Sequence, residues 1–536
     1  MHVVLFALNA SYVHTNLAIR CLAEPLLAAG HQVTMLEYHL KDRKDAVLHA
    51  LYQANADVYG FSVYIWNRDQ ILSLAQDLKT LRPQCRIICG GPEVSFAEES
   101  FFTRYPFVDE VIRGEGEEVF PRLLNQPPQP HTFHTGTPYA DFVHTGIHYT
   151  QNHLPNGGIV YYESSRGCPY RCAYCLSAVK TLSGEKIRAK SAECTLAQLS
   201  EFEAFENIRV IKFVDRTFNF SPQRAVEIWD ALRSDKYTKH YHFEICASLL
   251  NEAAFAILAK MPAGKIQFEI GVQSTNPKTL EAVDRHDQPQ TVLANIRRLY
   301  EMGNIHIHTD LIAGLPYEDF ARFGQSFDAL FGNCHQLQLG FLKLLPGSPL
   351  AAHAPEYAYR AQKDPPYEIL ENRFLSYEEL TRLHAVDRIQ DRFVNSGRFA
   401  RAIRRWMDTE PSAFAAFCAF ADKLAQNPAS ISQIAAYEAL YQFALARIPQ
   451  AAQAFFHDAL ALDFLQWETG PLPQCIRVEP IQEPALRHAI LPHLKSVFPN
   501  LQPSALFFCR LSSTPGKVTV VDRKQHLVTE IPEPIC

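Results

Sequence analysis

Short β-rich runs alternate with helix-length amphipathic segments over the first 125 residues of the chain. Parallel strands need a crossover segment between them, so this alternation is typical of a parallel sheet with helices on both faces. The pattern predicts a doubly wound α/β domain over residues 1–125. Its five strands are predicted at Val3–Leu8, Gln32–Leu36, Val58–Val63, Arg86–Cys89 and Glu110–Arg113.

A second β/α series begins at Ile159 and predicts a partial TIM-type (β/α) barrel over residues 159–355. Residues 126–158 are rich in Pro, His, Thr and Gly, which is typical of a linker. Residues 356–536 have helical periodicity and predict a mostly helical C-terminal domain. The strands of the second series are predicted at Ile159–Glu163, Val210–Val214, His242–Ala247, Ile266–Ile270, Ile307–Ile312 and Gln336–Leu345, and those of a small terminal sheet at Ala505–Cys509, Val518–Val521 and Leu527–Glu530.

Three cysteines follow the first strand of the second series, in the run Arg166-Gly-Cys168-Pro-Tyr-Arg-Cys172-Ala-Tyr-Cys175. The spacing is C-x3-C-x2-C, at the carboxyl end of a strand, where barrel enzymes place their chemistry. Three thiolates can hold a [4Fe-4S] cube by three of its irons, which leaves the fourth iron without a protein ligand. The spacing therefore predicts Cys168, Cys172 and Cys175 as cluster ligands.

Two other interpretations of these cysteines fit less well. A structural zinc site needs four ligands, usually in two close pairs, and no second pair with that spacing follows. A disulfide framework is disfavoured because 13 cysteines in 536 residues are sparse and no secretion signal precedes them.

The cysteine run, with an aromatic residue before its third cysteine, resembles the signature of radical S-adenosylmethionine (SAM) enzymes. In that family the free iron binds the amino and carboxylate groups of SAM. One electron then cleaves the sulfonium C–S bond and releases a 5′-deoxyadenosyl radical. The resemblance implies that Tyr174 belongs to the SAM site.

Further segments, in the order that radical SAM enzymes have them, resemble the parts of that family that hold SAM. Phe213-Val-Asp215-Arg-Thr-Phe resembles a Phe-x-Asp-Asp-x-Phe segment, with Arg216 in place of the second aspartate. Glu269-Ile-Gly-Val-Gln-Ser resembles a Glu-x-Gly-x-Gln-Ser strand end. Salt-bridged strand carboxylates remain the alternative for Glu244 and Glu269. The SAM contacts implied by the resemblance are Tyr174, Asp215, Glu244, Glu269, Gly271 and Gln273.

The strand ends of the first series together resemble the cobalamin-binding domain that precedes many radical SAM cores. The family's cobalt-ligating motif Asp-x-His-x-x-Gly is missing, and we expect His14 to cap or pack the first helix. Cobalamin would then bind base-off, with no protein imidazole below the cobalt. The cobalamin contacts implied by the resemblance are Tyr12, Ser62, Trp66, Asn67, Gly90, Gly91, Pro92, Glu93, Gly114 and Glu115.

The combined resemblance implies a cobalamin-dependent radical SAM enzyme that transfers a methyl group to an unactivated carbon. One SAM would methylate cob(I)alamin, and a second would give the radical that activates the substrate carbon. Two alternatives stay open, namely cyclisation or oxygen insertion without methylation, and a non-catalytic cobalamin or redox sensor. Only methyl transfer must produce S-adenosylhomocysteine.

The net charge of −6 and the pI near 6.4 give no electrostatic reason to expect nucleic acid or an anionic membrane as a partner. The net charge does not exclude RNA as a partner, since a local basic patch would suffice to bind it. The sequence has no uninterrupted run of about 18 apolar residues, so no transmembrane helix is predicted. Free thiols and an oxygen-sensitive cluster favour the cytoplasm. The resemblance implies a flavodoxin or ferredoxin as electron donor, and the sequence does not identify the substrate.

Overall fold

The computed structural model describes residues 1–150, 154–155, 157–182, 184–424, 430–482, 484, 490–491, 494, 506–515 and 517–532. The chain forms two compact units. The first consists of Met1–Asp319 and Gly340–Ser376, and the second of Phe320–Leu339 and Tyr377–Cys536. Among the described helices, none combines the length and the apolar character that a membrane span requires.

The first unit begins with a six-stranded parallel sheet in the order β2-β1-β3-β4-β5-β6. The order reverses between β1 and β3, and ligands of such folds bind beyond the carboxyl ends of the strands at this point. The sixth strand lies in the segment predicted as a linker. The strands are β1 (His2–Asn9), β2 (Gln32–His39), β3 (Val58–Ser62), β4 (Arg86–Gly90), β5 (Glu110–Arg113) and β6 (Thr132–Thr135).

Strand β1 shows why this sheet is covered on both faces. Successive side chains of a strand point to opposite sides. Val4, Phe6 and Leu8 belong to one buried apolar cluster, and Val3, Leu5 and Ala7 to another. The helices of this region are α1 (Leu17–Ala28), α2 (Lys44–Ala54), α3 (Arg68–Leu81), α4 (Pro92–Ser95), α5 (Ser100–Arg104) and α6 (Val119–Leu124).

A second six-stranded sheet follows, in the order β14-β13-β12-β11-β10-β7. The pairs from β7 to β13 are parallel, as a partial barrel requires. A separate antiparallel ladder joins β8 to β9. The strands of this region are β7 (Gly158–Tyr162), β8 (Ser165–Arg166), β9 (Arg188–Ala189), β10 (Ile208–Phe213), β11 (His240–Ile245), β12 (Ile266–Gln273), β13 (His306–Ala313) and β14 (Gln336–Phe341).

The second sheet has one apolar and one polar face. Phe243 of β11 and Phe268 of β12 pack on Trp229, with ring centroids 6.3 and 5.3 Å away. Glu244 and Glu269 alternate with these residues and therefore lie on the other face. The helices of this region are α7 (Ser177–Leu182), α8 (Ala192–Glu203), α9 (Pro222–Leu232), α10 (Glu252–Leu258), α11 (Pro277–Ala282) and α12 (Pro289–Met302).

The second unit is mostly helical and ends in an antiparallel sheet of order β17-β18-β19-β20. The α/β, partial-barrel and helical regions confirm the predicted fold class. Residue Ala505 of the predicted terminal strand lies outside the described residues. The first unit also contains α14 (Pro349–Ala352), β15 (Arg360–Ala361) and β16 (Ile369–Glu371). The elements of the second unit are α13 (Phe320–Leu330), α15 (Tyr377–Ile389), α16 (Ala400–Met407), α17 (Ala413–Lys423), α18 (Gln433–Leu445), α19 (Gln450–Trp467), β17 (Glu479–Pro480), β18 (Leu506–Arg510), β19 (Lys517–Asp522) and β20 (Leu527–Pro532).

Candidate functional site

The three predicted cluster ligands lie on residues 167–187, a loop whose base is the ladder of β8 and β9; we call it the cysteine loop. Cys172 is buried, and Cys168 and Cys175 are partly exposed. The Cys175 amide donates to the Cys172 carbonyl at 2.9 Å, and the Ala173 amide donates to the carbonyl of Val283 at 2.8 Å. These bonds fix the backbone on which the thiols are carried.

Cys175 interacts electrostatically with each of the other two thiols. Burial raises the pKa of Cys168 and of Cys172, and the charge of Cys175 raises both further. Within the described part of the chain, no three His, Cys, Asp or Glu side chains are arranged to hold a single metal ion. A cube makes a different demand, because each thiolate binds its own iron. Three thiols on one loop, each available to its own iron, fit the ligand number of a cube.

Arg285 lies beside the cysteine loop and was not indicated by the sequence patterns. Its Nη1 lies 3.8 Å from Sγ of Cys172, and its Nη2 donates to the carbonyl of Gly271 at 2.5 Å. Asp287 pairs with the same guanidinium at 2.9 Å. The sequence offered one signal, namely four consecutive titratable residues, 284–287, directly after α11.

Tyr174, Gly271 and Gln273 of the predicted SAM site lie around Arg285. Burial raises the pKa of the Tyr174 phenol, which interacts with both Arg285 and Cys172. Gln273 ends β12 with a φ of 69°, in the left-handed region. A Cβ at Gly271 would overlap the side-chain amide nitrogen of Gln273. The glutamine side chain therefore lies directly against the backbone at Gly271.

Asp215 braces the start of the cysteine loop. It is fully buried, and its carboxylate accepts from the Ser164 amide at 3.0 Å, from the Ser164 hydroxyl at 2.7 Å and from the Ser165 hydroxyl. Burial nevertheless raises the pKa of Asp215. A direct contact from Asp215 to SAM stays a prediction, whereas its bonds to the two serines are observed.

Glu244 and Glu269 face each other across β11 and β12. Glu269 contacts His242 Nε2 at 3.0 Å and Lys212 Nζ at 3.2 Å. Burial alone would raise the pKa of Glu269, but these two partners lower it to about 2. Burial raises the pKa of Glu244 to about 7, and the charge of Glu269 adds to this rise. Near neutral pH the two carboxyl groups therefore differ in protonation.

The predicted cobalamin contacts all lie at the carboxyl edge of the first sheet. Tyr12 and Trp66, in the loops after β1 and β3, are 69% and 50% exposed. Ser62 and Asn67 are buried, and the Asn67 side chain donates to the carbonyl of Leu8 at 3.0 Å. Two exposed aromatic rings thus stand on loops that a buried amide holds together.

The glycines after β4 and β5 allow loops to approach closely. Gly91 has a φ of 115°, and a Cβ there would overlap the carbonyl oxygen of Val63. Gly114 has a φ of 80°, and Pro92 begins α4. Gly90 has only the Ile112 carbonyl near its Cβ position, at 3.7 Å. Side chains are thus excluded from part of this edge, as a ligand that lies against backbone would require.

Two of the predicted cobalamin contacts, Glu93 and Glu115, bond through their carboxylates to residues that follow the first sheet in the same unit. Glu93 accepts from the Tyr367 hydroxyl and lies 3.4 Å from Arg68. Glu115 pairs with Arg166 at 2.6 Å. Their proposed contacts with cobalamin remain predictions.

His14 links the two sheets. Asn16, and not His14, caps α1, with its side chain accepting from the Ile19 amide. His14 forms a β-bridge with Ile159, and its Nδ1 lies 2.6 Å from the Tyr161 hydroxyl. The loop after β1 is therefore bonded to the edge strand of the second sheet.

Three family models match successive parts of the chain. The B12 binding domain matches residues 3–124, and the radical SAM superfamily matches residues 162–330. A family described as a protein of unknown function (DUF4080) matches residues 355–502. The first match covers nearly all of β1 and the whole of β2 to β5, and the second covers β8 to β13.

Two relatives are methyltransferases. The chain is 27% identical over 329 residues to 2-(S-pantetheinyl)-carbapenam-3-carboxylate methyltransferase of Streptantibioticus cattleyicolor, which covers 55% of this chain and 48% of that protein. It is 26% identical over 329 residues to the cobalamin-dependent radical SAM methyltransferase TokK of Streptomyces tokunonensis, with the same two shares. The chain spans about half the length of the curated relatives it matches.

A solved structure shares the fold. The radical SAM methyltransferase TsrM from Kitasatospora setae, determined with cobalamin and a [4Fe-4S] cluster bound, matches with a TM-score of 0.55 at 15% identity. The match covers 68% of this chain and 78% of that chain.

Proposed function

Because the chain belongs to the radical SAM proteins that carry an N-terminal B12-binding domain, we propose that it is a cobalamin-dependent radical SAM methyltransferase that acts on an unactivated carbon. One observation carries this proposal. The cysteine loop and the ligand edge of the B12-binding domain lie in one compact unit and are bonded directly through Arg166 and Glu115. Two cofactors that must act on one substrate need such a connection.

The thiols of Cys168, Cys172 and Cys175 hold the [4Fe-4S] cluster in this proposal. When bound, the cluster supplies the electron that cleaves SAM to a 5′-deoxyadenosyl radical. Asp215 sets the start of the cysteine loop through Ser164 and Ser165.

Six residues are the proposed SAM contacts, namely Tyr174, Asp215, Glu244, Glu269, Gly271 and Gln273. Glu269 stays ionised through Lys212 and His242 and can only accept hydrogen bonds. Glu244, with a pKa of about 7, can also donate one when protonated. The two carboxyl groups together suit the hydroxyl groups of a ribose.

Cobalamin is held, in this proposal, at the carboxyl edge of the first sheet. When bound, it supplies the methyl group that is transferred. Tyr12 and Trp66 offer exposed rings to a large planar ligand, and Gly90, Gly91 and Gly114 let it approach the backbone. His14, whose Nδ1 lies 2.6 Å from the Tyr161 hydroxyl, would not serve as a protein ligand of the cobalt in this proposal.

The electron that this chemistry consumes must come from a low-potential donor. We propose a flavodoxin or ferredoxin, and a reducing cytoplasm as the compartment in which free thiols and the cluster persist.

An anaerobic assay tests the proposed function. Full-length protein is reconstituted with iron, sulfide and hydroxocobalamin, supplied with SAM and a low-potential reductant, and analysed by mass spectrometry. We expect about four irons per chain and the release of both 5′-deoxyadenosine and S-adenosylhomocysteine. A variant with Cys168, Cys172 and Cys175 all changed to Ala should give neither product.

A matched control keeps the assay specific. Cys246→Ala removes a buried thiol 3.1 Å from the Tyr170 hydroxyl of the same loop and should retain iron. Release of 5′-deoxyadenosine without S-adenosylhomocysteine would contradict methyl transfer and favour radical chemistry without methylation. Absence of iron, of SAM binding and of both products from the wild-type protein would overturn the proposed function.

A further inference from the structure

The base of the cysteine loop is attached to the B12-binding domain by a group of charged side chains, which we call the arginine–glutamate cluster. It contains two guanidinium and four carboxylate groups, whose side chains are between 7% and 22% exposed. The members are Glu115, Glu117, Glu163, Arg166, Glu185 and Arg188.

Arg166 occupies the centre of this cluster. Its Nη1 donates to Glu115 at 2.6 Å and its Nη2 to Glu117 at 2.6 Å, while its Nε donates to Glu163 at 2.8 Å. Its side chain is only 11% exposed. A planar guanidinium with three carboxylate partners in three directions is fixed in orientation, unlike a lysine. Two of the three partners come from the B12-binding domain.

Arg188 attaches the other end of the cysteine loop to the same place. It stands opposite Arg166 in the ladder of β8 and β9. Its guanidinium pairs with Glu115 and lies 2.9 Å from Glu185. Both strands at the base of the loop therefore meet one carboxylate of the B12-binding domain.

The carboxylates of the B12-binding domain stand on a backbone with little freedom. A Cβ at Gly136 would overlap the backbone of Glu115, and a Cβ at Gly116 would lie 2.8 Å from Leu22. The buried ring of Phe142 lies 4.4 Å from the Arg166 guanidinium carbon. Ion pairs that are withdrawn from water depend strongly on geometry, so a shift of this acidic loop must move the arginines.

We propose that Arg166 and Arg188 are positioning residues that couple cobalamin binding to the order of the cysteine loop, so that each cofactor is bound more tightly when the other is present. Residues Gly114 and Glu115 stand on the proposed cobalamin side, and Arg166 stands two residues before Cys168. Coupling of two sites through one element is reciprocal. The inference rests on the proposed function, because it requires both cofactors to bind.

Cobalamin affinity with and without the cluster tests the coupling. Hydroxocobalamin is titrated anaerobically into reconstituted full-length protein and into the triple Cys→Ala variant, and its visible absorption is followed. We expect the cluster-loaded wild type to bind at least about fivefold more tightly, the lower end of usual coupling strengths. In reconstituted Glu117→Gln, compared with the same substitution in the triple variant, the ratio should fall below that of wild type, because one of the two carboxylates that join Arg166 to the B12-binding domain is neutralised.

Glu163→Gln is the matched control, since it removes a carboxylate from the same guanidinium but on the side of the cysteine loop. It should keep the wild-type ratio. Hydrogen exchange gives a measurement that needs no variant: hydroxocobalamin should slow exchange at amides 167–182 of cluster-loaded wild type. In Glu117→Gln this protection should be weaker than in wild type.

Three outcomes would count against the inference. Equal affinities of wild type with and without the cluster would overturn it, as would an unchanged ratio in Glu117→Gln or a lack of protection at 167–182. All three leave the proposed function intact. Wild-type protein that holds iron but binds no hydroxocobalamin would overturn both.

Discussion

Two neighbouring glutamates of the second sheet have pKa values on opposite sides of the ordinary value of 4.5. Glu269 has a histidine and a lysine as partners, which favour its charged form. Glu244 is partly buried beside the charge of Glu269, and both effects favour its neutral form. Environments that separate two carboxyl groups in this way are typical of sites that handle protons or polar ligands.

Replacing Glu244 by Gln should reduce the pH dependence of stability. The folded chain holds the Glu244 proton more tightly than the unfolded chain does. Its contribution to the free energy of unfolding is therefore complete below about pH 4.5 and is lost as the pH rises to about 7, up to about 3 kcal/mol in all. Urea unfolding of the cofactor-free chain at pH 5 and pH 8 should show a smaller difference for Glu244→Gln than for wild type.

Glu269 should contribute to the pH dependence of the free energy of unfolding with the opposite sign, and Glu269→Gln removes this contribution. The lowered pKa of Glu269 contributes stability above about pH 4.5, which is lost as the pH falls toward 2. Removal of the charge at pH 7 leaves Lys212 and His242 without their carboxylate and should cost about 2 kcal/mol. Urea midpoints at pH 7 measure this loss, and a midpoint equal to that of wild type would contradict the assignment.

The cysteine loop contains two glycines whose backbone has a positive φ, Gly167 and Gly184. Gly167, between Arg166 and Cys168, has a φ of 101°, and a Cβ there would lie 3.3 Å from the Cα of Ile187. Gly184 has a φ of 85° but has no atom within 4 Å of its Cβ position. Both glycines therefore have a backbone conformation that other residues rarely adopt, but only Gly167 has atoms close to its Cβ position.

Gly167→Ala should impair cluster retention more than Gly184→Ala. Both substitutions strain a left-handed residue by about 1–2 kcal/mol, and only the first also presses on the opposite side of the loop. Iron content after anaerobic reconstitution and gel filtration compares the two variants. Equal iron content in both would show that the contact with Ile187 is unimportant.

Hydrophobic periodicity predicts most of the strands well. It does not predict which residues form hydrogen bonds and ion pairs with the site residues. The predicted strands Val3–Leu8 and Glu110–Arg113 coincide with β1 and β5 to within a residue. The edge strand β6 was missed because its sequence has the composition of a linker. Glu115 and Glu93 find partners 51 and 274 positions away. A pattern within one segment cannot report a partner chosen by tertiary packing.

In the whole molecule, one helix of the radical SAM match is grouped with the C-terminal helices. Helix α13 lies in the second unit together with α17. Phe327 of α13 lies 5.6 Å from the ring of Phe414 on α17, and a Cβ at Gly324 would lie against that ring. Apolar packing over this pair explains why the second unit begins before residue 377.

Phe414→Ala should therefore destabilise the second unit by about 3–5 kcal/mol, the usual cost of removing a buried aromatic ring. Phe414 is 6% exposed, whereas Phe455 on α19 is 47% exposed. Phe455→Ala should change the free energy of unfolding by less than about 0.5 kcal/mol. Urea unfolding followed by circular dichroism compares them, and similar midpoints would contradict this packing.

The bonds between the loop after β1 and strand β7 also matter while the protein is being made. Strand β7 is the outer strand of its sheet, and open strand edges recruit other chains. Ile159 donates to the carbonyl of Val13 at 2.9 Å, and its own carbonyl accepts from the Thr15 hydroxyl at 2.9 Å. The B12-binding domain leaves the ribosome before β7 does, and domains fold in the order of synthesis. The domain thus shields the edge of β7 from aggregation as soon as that strand emerges.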